Sequence, residues 1–255
     1  MHQSAPLVHC ITNDVVTNFT ANVLLAIGAS PAMVVAEEEA ADFAKVASAL
    51  LINVGTLTST QAKVMTKAIH AANKVGTPWV LDPVAVGALS FRTAFCQELL
   101  QLKPTVIRGN ASEIAALNGD FVANKGADSL LQGDQVLAAA KKIAIEYQTI
   151  VTVTGQTDYL TDGQNIYTLD NGSVFLTRVT GTGCALGAMV AAYCAVCESP
   201  LQAALIALSH MALAGEVAAQ CHKGVGSFAV ALMDQLHLLA YEQDDTWQRL
   251  KCGII

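Results

Sequence analysis

Short apolar segments alternate with longer segments of helical spacing through residue 154, and this alternation limits the folds open to the chain. Strands are predicted at residues 8–11, 31–35, 51–55, 78–82, 105–108 and 149–154. Helices are predicted at residues 15–27, 37–50, 61–75 and 91–102, from Ser112, and up to Tyr147. Apolar strands joined by helices form a parallel sheet covered on both faces. We therefore predict a three-layer α/β/α fold with a mostly parallel central sheet, in one domain spanning residues 1–255.

The spacing changes after residue 154. Short strands are predicted at residues 158–161, 165–169 and 173–177, with turns at Asp162-Gly163 and Asn171-Gly172. Helices follow from about Cys184, from Leu201, and from Phe228 to the end, and a polar loop is expected at residues 118–133. The sheet should therefore carry a short antiparallel hairpin region.

The composition is unusually apolar, with 53% hydrophobic and 14% charged residues and a mean hydropathy of +0.44. The most apolar region, residues 185–219, is interrupted by Pro200, His210 and Glu216, so no continuous run approaches the roughly 20 residues that span a bilayer. Buried helices and an oligomer interface explain the composition better. A net charge of −7 without a basic cluster argues against nucleic acid as a partner. Seven cysteines and no signal-like amino terminus predict reduced thiols and a cytoplasmic location.

A glycine-flanked turn lies directly before the most apolar helical stretch. Gly181 and Gly183 bracket Thr182, and Cys184 follows where the helix is predicted to begin. Exposed amides and the positive end of a helix dipole favour a bound anion, most plausibly a phosphate. Leu186 replaces the third glycine of a dinucleotide fingerprint, and no P-loop pattern occurs in the sequence. Cys184 is either a thiolate acting as base or nucleophile, or a small packing residue.

Polar residues stand at the ends of several predicted strands, where ligands gather in parallel sheets. Asp82 and Glu113 suit a hydrated Mg²⁺ ion, although Glu113 also fits a capping box with Asn110. Arg108 ends a buried-type strand and needs an anionic partner, either a ligand or a salt bridge. Thr154 either donates to a phosphate or simply ends its strand. By sequence logic alone Met33 is a core residue.

Seven motifs, in this order and spacing, resemble those of the hydroxyethylthiazole kinase family, a thiamine-salvage branch of the ribokinase-like superfamily, over essentially the whole chain. They are His9-Cys10-Ile11-Thr12-Asn13 with Asn18, Gly28-Ala29-Ser30-Pro31-Ala32-Met33, Asn53-Val54-Gly55-Thr56-Leu57, Leu81-Asp82-Pro83-Val84 with Gly87-Ala88, Arg108-Gly109-Asn110-Ala111-Ser112-Glu113-Ile114, Val153-Thr154-Gly155, and Thr180-Gly181-Thr182-Gly183-Cys184.

The resemblance implies a kinase that moves the γ-phosphoryl group of ATP, with Mg²⁺, to the primary alcohol of 4-methyl-5-(2-hydroxyethyl)thiazole. It also implies a homotrimer with active sites between neighbouring subunits. By this resemblance Met33, Gly181 and Asn13 contact the thiazole, and Asp82 and Glu113 bind magnesium. The phosphate contacts come from Arg108, Thr154, Thr182 and Gly183. Cys184 is the candidate catalytic base.

Two positions depart from the expected pattern. Ala85 stands where we expect glycine, and Ala127 stands where valine is common. Two rival functions stay open: a nucleotide-repair dehydratase of the same superfold, and a non-catalytic ligand-binding homologue. Asn18, Met33 and the cysteine after Gly183 argue against the dehydratase. The combination of Asp82, Arg108, Glu113 and Thr154 argues against a decayed site.

Overall fold

The computed structural model describes residues 1, 3–120, 133–222, 224–241 and 245–255. In this part of the chain one nine-stranded sheet has the strand order β2-β1-β3-β4-β5-β6-β7-β8-β9. Pairing is parallel from β2 to β6 and antiparallel from β6 to β9. The strands are β1 (Leu7–Ile11), β2 (Ser30–Ala32), β3 (Ala49–Asn53), β4 (Trp79–Asp82), β5 (Val106–Asn110), β6 (Ile150–Thr154), β7 (Asp158–Thr161), β8 (Ile166–Leu169) and β9 (Cys252–Ile254).

Helices cover both faces of the sheet, as predicted. They are α1 (Thr17–Ala26), α2 (Ala40–Val46), α3 (Ser59–Val75), α4 (Ser90–Leu100), α5 (Ala111–Leu117), α6 (Gly133–Tyr147), α7 (Thr182–Cys194), α8 (Pro200–Cys221) and α9 (Val225–Tyr241). One core cluster joins α1, α7, α8 and α9 to the sheet, and a second joins α2 to α6. Successive residues of β3 enter opposite clusters: Ala49 and Leu51 the first, Leu50 and Ile52 the second. This alternation is that of a strand buried on both faces.

Local signals define several element ends. Thr58 caps α3 because its hydroxyl accepts from the Gln61 amide at 3.1 Å, and Gln61 Oε1 accepts from the Thr58 amide at 3.0 Å. Gly76 ends the same helix in the left-handed region, with φ of 79°. The helix predicted at residues 37–50 is shorter: Ala47 is already extended, with ψ of 148°, and β3 begins at Ala49.

Two predictions for the carboxyl-terminal third are wrong. The strand predicted at residues 173–177 is a 3₁₀ helix, Val174–Arg178, and the last helix does not reach the chain end. A second 3₁₀ helix, Asp245–Arg249, leads instead into β9, which pairs with β8 and so occupies the edge that a third hairpin strand would need. Asn171 fixes this arrangement, because its Nδ2 donates to Glu216 and its Oδ1 accepts from the Lys251 amide. Most of the loop expected at residues 118–133, including Ala127, lies outside the described residues.

Helix α8 is long and apolar enough to cross a membrane by length and composition alone. From the sequence we expected no such segment, because His210 and Glu216 interrupt the apolar stretch. Of the apolar window, 67% is buried inside the fold. Here α8 is therefore a core helix packed between α7 and α9.

His210 is a titratable group inside this core. Its side chain is fully buried, with Nε2 2.9 Å from the Leu236 carbonyl and Nδ1 2.7 Å from the Tyr193 hydroxyl. Because a carbonyl only accepts, Nε2 carries the proton and Nδ1 accepts from tyrosine. Burial lowers the pKa of His210 to about 4, so the ring is neutral at pH 7.

We expect acid to destabilise the fold through His210. The unfolded histidine has a pKa of about 6.5 and binds its proton first as the pH falls. Its contribution to stability is therefore complete above pH 6.5 and is lost between pH 6.5 and 4, by about 2 kcal/mol at pH 5. Urea unfolding at pH 7 and pH 5 gives the total change in stability, to which the raised pKa values of Asp82 and Asp158 contribute in the opposite sense. The His210 contribution is the comparison between variants: going from pH 7 to pH 5, His210→Gln should fare better than the native protein by about 2 kcal/mol, whereas the exposed-residue control His237→Gln should match the native protein. Equal changes in the native protein and His210→Gln would refute the assignment.

Candidate active site

Five strand ends meet the amino terminus of α7 at the carboxyl edge of the sheet. Helix α7 packs over β1, β3 and β4, which lie side by side. The polar residues brought together there are Asn13, Asn53, Asp82, Arg108, Thr154 and Cys184, and they are joined by the hydrogen bonds and ion pair described below. Parallel β3 to β6 align their ends, so residues from distant parts of the chain converge.

A continuous chain of side chains runs from the buried carboxylate to the cysteine. Asn53 Nδ2 donates to Asp82 Oδ2 at 2.6 Å, and Asn53 Oδ1 accepts from Asn13 Nδ2 at 2.9 Å. Asn13 Nδ2 also lies 3.3 Å from Cys184 Sγ. Asn13, Asn53 and Asp82 are each at most 5% exposed. The arrangement is therefore built into the fold rather than formed on its surface.

Arg108 and Asn53 contact different oxygens of the Asp82 carboxylate. Arg108 Nη1 is 3.6 Å from Asp82 Oδ1, and its Nη2 donates to Thr154 Oγ1 at 2.8 Å. Thr154 in turn donates to the Gly109 carbonyl at 3.3 Å, so it holds the guanidinium in place. Arg108 Nε and Asp82 Oδ1 are buried and have no hydrogen-bond partner among the described residues. A donor without a hydrogen bond suits a phosphate, and a carboxylate oxygen that accepts no hydrogen bond and faces the guanidinium at 3.6 Å suits a cation.

Burial dominates the ionisation of Asp82. It raises the pKa of this carboxyl to about 7, against the opposing effects of Arg108 and of the Asn53 hydrogen bond. The nearby negative charge of Glu113 adds to the increase. The charge of Asp82 is thus costly even beside Arg108, as expected of a functional carboxylate.

Glu113 forms the capping box predicted from the sequence. Its amide donates to Asn110 Oδ1 at 2.9 Å, and its Oε2 accepts from the Asn110 amide at 2.9 Å. Its Oε1 accepts from the Ala85 amide at 3.0 Å. Ala85 has a left-handed φ of 62°, a conformation that favours glycine, and Glu113 stabilises this strained turn beside Asp82. Each carboxylate oxygen keeps a lone pair, so the capping role leaves Glu113 able to reach a cation through water.

The glycine turn begins α7 two residues earlier than predicted. Gly181 is the N-cap, with a left-handed φ of 96°, and Thr182 is the first helical residue. The Thr182 hydroxyl donates to the Leu176 carbonyl at 2.8 Å, which leaves its main-chain amide as the group available to a phosphate. A Cβ on Gly183 would lie 2.8 Å from Arg108 Nη2. The first turn of α7 and the guanidinium are therefore in direct contact.

Cys184 is a poor base in this setting. Burial raises the pKa of its thiol, the charge of Asp82 raises it further, and the amides of Asn53 and Asn13 only partly oppose this. The thiol form therefore prevails at neutral pH, although a helix amino terminus alone would favour the thiolate.

Met33 lies apart from the hydrogen-bonded group. It follows β2, the edge strand of the sheet, and is half-buried against the cluster that contains α1 and α7. This agrees with the sequence interpretation as a core residue and leaves part of the side chain available to a ligand.

Sequence reasoning missed two functional candidates. Asn53 was noted only within a motif, yet it connects Asn13 to Asp82. Asp158 accepts from the Gly155 amide at 2.9 Å and so shapes the turn after Thr154; burial raises its pKa to about 6. The sequence signal for Asn53 was an asparagine at the end of an apolar strand, whereas no local sequence feature distinguished Asp158.

A cleft of about 610 Å³ lies elsewhere, at the amino ends of β5 and β6. Its lining includes Lys103, Thr105, Gln148 and Asp162 but none of the residues described above. Ligand sites of parallel sheets lie at the opposite edge, so this cleft is not the candidate site.

The donor set fits magnesium better than a transition metal. The described residues contain no group of three or more His, Cys, Asp or Glu side chains that could hold a metal alone. Magnesium is usually bound by one or two carboxylates together with substrate phosphates and water. The Oδ1 of Asp82, which accepts no hydrogen bond, is the kind of oxygen such an ion needs.

Comparison with known proteins agrees with this geometry. Residues 1–242 match the model of the Hydroxyethylthiazole kinase family. The hydroxyethylthiazole kinase of Tolumonas auensis is 55% identical over 241 residues, covering 94% of this chain and 90% of the relative. The solved structure of the hydroxyethylthiazole kinase protein from Pyrococcus horikoshii OT3 has 40% identity and a TM-score of 0.89, covering 100% of this chain and 95% of that one.

A more distant structure shows the breadth of the fold. The pyridoxal kinase from Staphylococcus aureus in complex with ADP has 19% identity and a TM-score of 0.64, covering 82% of this chain and 87% of that one. The ribokinase-like α/β/α fold is thus confirmed from both near and distant relatives. On the family match and the 55% identity, this chain belongs to the hydroxyethylthiazole kinase family.

Proposed function

We propose that the protein transfers the γ-phosphoryl group of ATP to the primary alcohol of 4-methyl-5-(2-hydroxyethyl)thiazole, a step of thiamine salvage. The observation that carries this proposal is the contact between the first turn of α7 and Arg108, directly beside the free oxygen of Asp82. This arrangement combines anion donors with a cation-binding carboxylate, which phosphoryl transfer requires.

Positioning and charge neutralisation account for most of the catalysis. The amides from Gly181 to Cys184 cradle the transferring phosphoryl group, and Arg108, held by Thr154, neutralises its remaining charge. The alcohol oxygen forms a bond to the γ-phosphorus while the bond to the β-γ bridging oxygen breaks. ADP leaves with that electron pair, and the hydroxyl proton passes to an oxygen of the transferred phosphoryl group.

Asp82 and Glu113 are the residues that would hold Mg²⁺, Asp82 through Oδ1 and Glu113 through water. The ion supplies charge neutralisation to the phosphates when it is bound. Asn53 keeps the other oxygen of Asp82 occupied, and the Ala85 and Asn110 amides keep Glu113 in place.

A coupled assay of ADP release tests the function. With ATP and Mg²⁺ present, release should depend on the thiazole alcohol and be weak with a methylpyrimidine alcohol as control. Mass spectrometry should detect the thiazole phosphate. Binding of the alcohol without ADP release would favour the non-catalytic homologue, and elimination on a damaged nucleotide without any alcohol would favour the dehydratase.

Cys184 contributes little as a base in this proposal, because its thiol stays protonated and a dissociative transition state needs little base assistance. We expect Cys184→Asp to keep or raise kcat, since a carboxylate is more readily ionised at pH 7. Cys184→Ala should lose less than about 10²-fold. Steady-state kinetics with circular dichroism as a fold check measures both, and inactivity of a folded Cys184→Asp enzyme contradicts the interpretation.

A cytoplasmic homotrimer with sites between subunits completes the proposal. Four exposed apolar side chains support an interface near the β2 edge of the sheet: Val15, Leu25, Val35 and Val46, each at least 51% exposed. Met33 lies at the same edge, where it could contact the thiazole across such an interface. Light scattering would test the assembly, and a monomer would contradict it.

A further inference from the structure

The orientation of the Asn53 side-chain amide is fixed by its neighbours. Its Oδ1 faces two donors, Asn13 Nδ2 at 2.9 Å and the Gly55 amide at 3.0 Å. Its Nδ2 faces the Asp82 carboxylate at 2.6 Å. If the oxygen and nitrogen were exchanged, a donor would face the donors of Asn13 and Gly55, and an acceptor would face the Asp82 carboxylate. Only one orientation is therefore compatible with the network.

This fixed amide also fixes Asn13. The Nδ2 of Asn13 has two hydrogens, and among the described residues it donates to Asn53 Oδ1 at 2.9 Å and to Cys184 Sγ at 3.3 Å. Gly55 permits the contact, because a Cβ there would lie 2.6 Å from Asn13 Nδ2. Both donor positions of Asn13 are therefore used within the protein, and only its Oδ1 remains for a ligand.

The acceptor Asn13 Oδ1 selects for a hydrogen-bond donor on the substrate. In the thiazole alcohol the ring nitrogen and sulfur only accept hydrogen bonds, and the hydroxyl is the single donor. Asn13 adjoins Cys184 in the first turn of α7, where the phosphoryl group is transferred in the proposed function. A ligand group that pairs with Asn13 Oδ1 must then be the reacting hydroxyl.

Resting on the proposed function, we propose that Asn53 is a positioning residue that holds Asn13 as a pure hydrogen-bond acceptor, so that the site selects ligands carrying a hydroxyl donor. With its proton bonded to Asn13, the hydroxyl oxygen keeps its lone pairs for attack on phosphorus, and as the new bond forms the proton passes to an oxygen of the transferred phosphoryl group. Asn53 thereby orients both the substrate-binding residue Asn13 and the carboxylate of Asp82. Its Nδ2 donates to Asp82 Oδ2, so Oδ1 is the oxygen without a hydrogen bond.

The test compares binding of two ligands of nearly equal size. Calorimetry gives Kd for the thiazole alcohol and for its 2-fluoroethyl analogue, in which fluorine replaces the hydroxyl and cannot donate. The native protein should prefer the alcohol by about tenfold or more, because the analogue leaves Asn13 Oδ1 unpaired. In Asn53→Ala the Asn13 amide can turn over, and the preference should fall to about threefold or less.

A matched variant separates positioning from general damage. Asn53→Asp keeps an oxygen that accepts from Asn13 and Gly55, so it should keep the preference while losing activity through repulsion of Asp82. The surface control Asn73→Ala, on α3, should change neither binding nor activity. If Asn53→Ala does not fold, Asn53→Ser replaces it.

The outcomes are distinct. If Asn53 is purely structural, Asn53→Ala weakens binding of both ligands by the same factor and leaves the preference unchanged, which overturns the proposal. Loss of the preference in Asn53→Asp overturns it as well. Failure of the native protein to phosphorylate the thiazole alcohol instead contradicts the proposed function. Loss of the preference in Asn53→Ala and its retention in Asn53→Asp supports the positioning role.

Discussion

Gly183→Ala should lower kcat/KM for ATP by about 10²- to 10³-fold while the protein stays folded, a loss comparable to that of an anion-hole donor. A Cβ at this position would lie 2.8 Å from Nη2 and 2.9 Å from Nη1 of Arg108. Arg108 must then shift, and this disturbs its contacts with Asp82 and Thr154. Alanine favours helix more than glycine does, so α7 itself should not be weakened.

Initial-rate kinetics with varied ATP, together with thermal unfolding, measure both expectations. Gly226→Ala is the matched control, because a Cβ on Gly226 of α9 meets nothing within 4 Å. That variant should keep full activity and gain up to about 1 kcal/mol of stability. A folded Gly183→Ala enzyme with kcat/KM within about threefold of the native value would show that the contact between α7 and Arg108 is not needed for ATP.

The sequence predicted the parallel part of the fold well because burial on both faces imposes a local pattern. The strands that precede α3, α4 and α5 are apolar runs bounded by glycine, proline or a polar residue, and β3, β4 and β5 are found there. The carboxyl-terminal third lacks that pattern. Whether residues 173–177 form a strand depends on β9, about 80 residues further on, which takes the open edge of β8. Such competition for a sheet edge is non-local, so residue spacing does not reveal it.

The candidate site shows the same division. Strand ends and a glycine turn identified Asp82, Arg108 and Thr154 as polar groups at one edge, and the structure brings these three together. The hydrogen bonds among them could not be predicted, since Asn13 and Asn53 are 40 positions apart and are joined only by the pairing of β1 with β3. The ionisation of Cys184 also depends on the fold, because burial and the charge of Asp82 outweigh the effect of the helix end.

Asp82→Asn should reduce kcat by about 10³-fold without loss of the fold. Removing the carboxylate removes the free Oδ1 proposed to bind Mg²⁺, and a metal-held charge contributes several kcal/mol to such reactions. An amide oxygen can still accept from Asn53 Nδ2, so the buried network stays connected. Because burial raises the pKa of Asp82 to about 7, the native carboxylate is costly to ionise, and a neutral amide avoids that cost.

Two measurements separate the loss of function from damage to the fold. The kcat at saturating ATP and Mg²⁺ should fall, and the rise in melting temperature that Mg²⁺ with ATP gives the native protein should shrink in Asp82→Asn. Asp42→Asn, which neutralises an exposed carboxylate paired with Lys45, is the matched control and should retain both responses. If Asp82→Asn keeps kcat within about tenfold of the native value, charge at this position is not what neutralises the phosphates, and Arg108 with the α7 amides must supply that neutralisation.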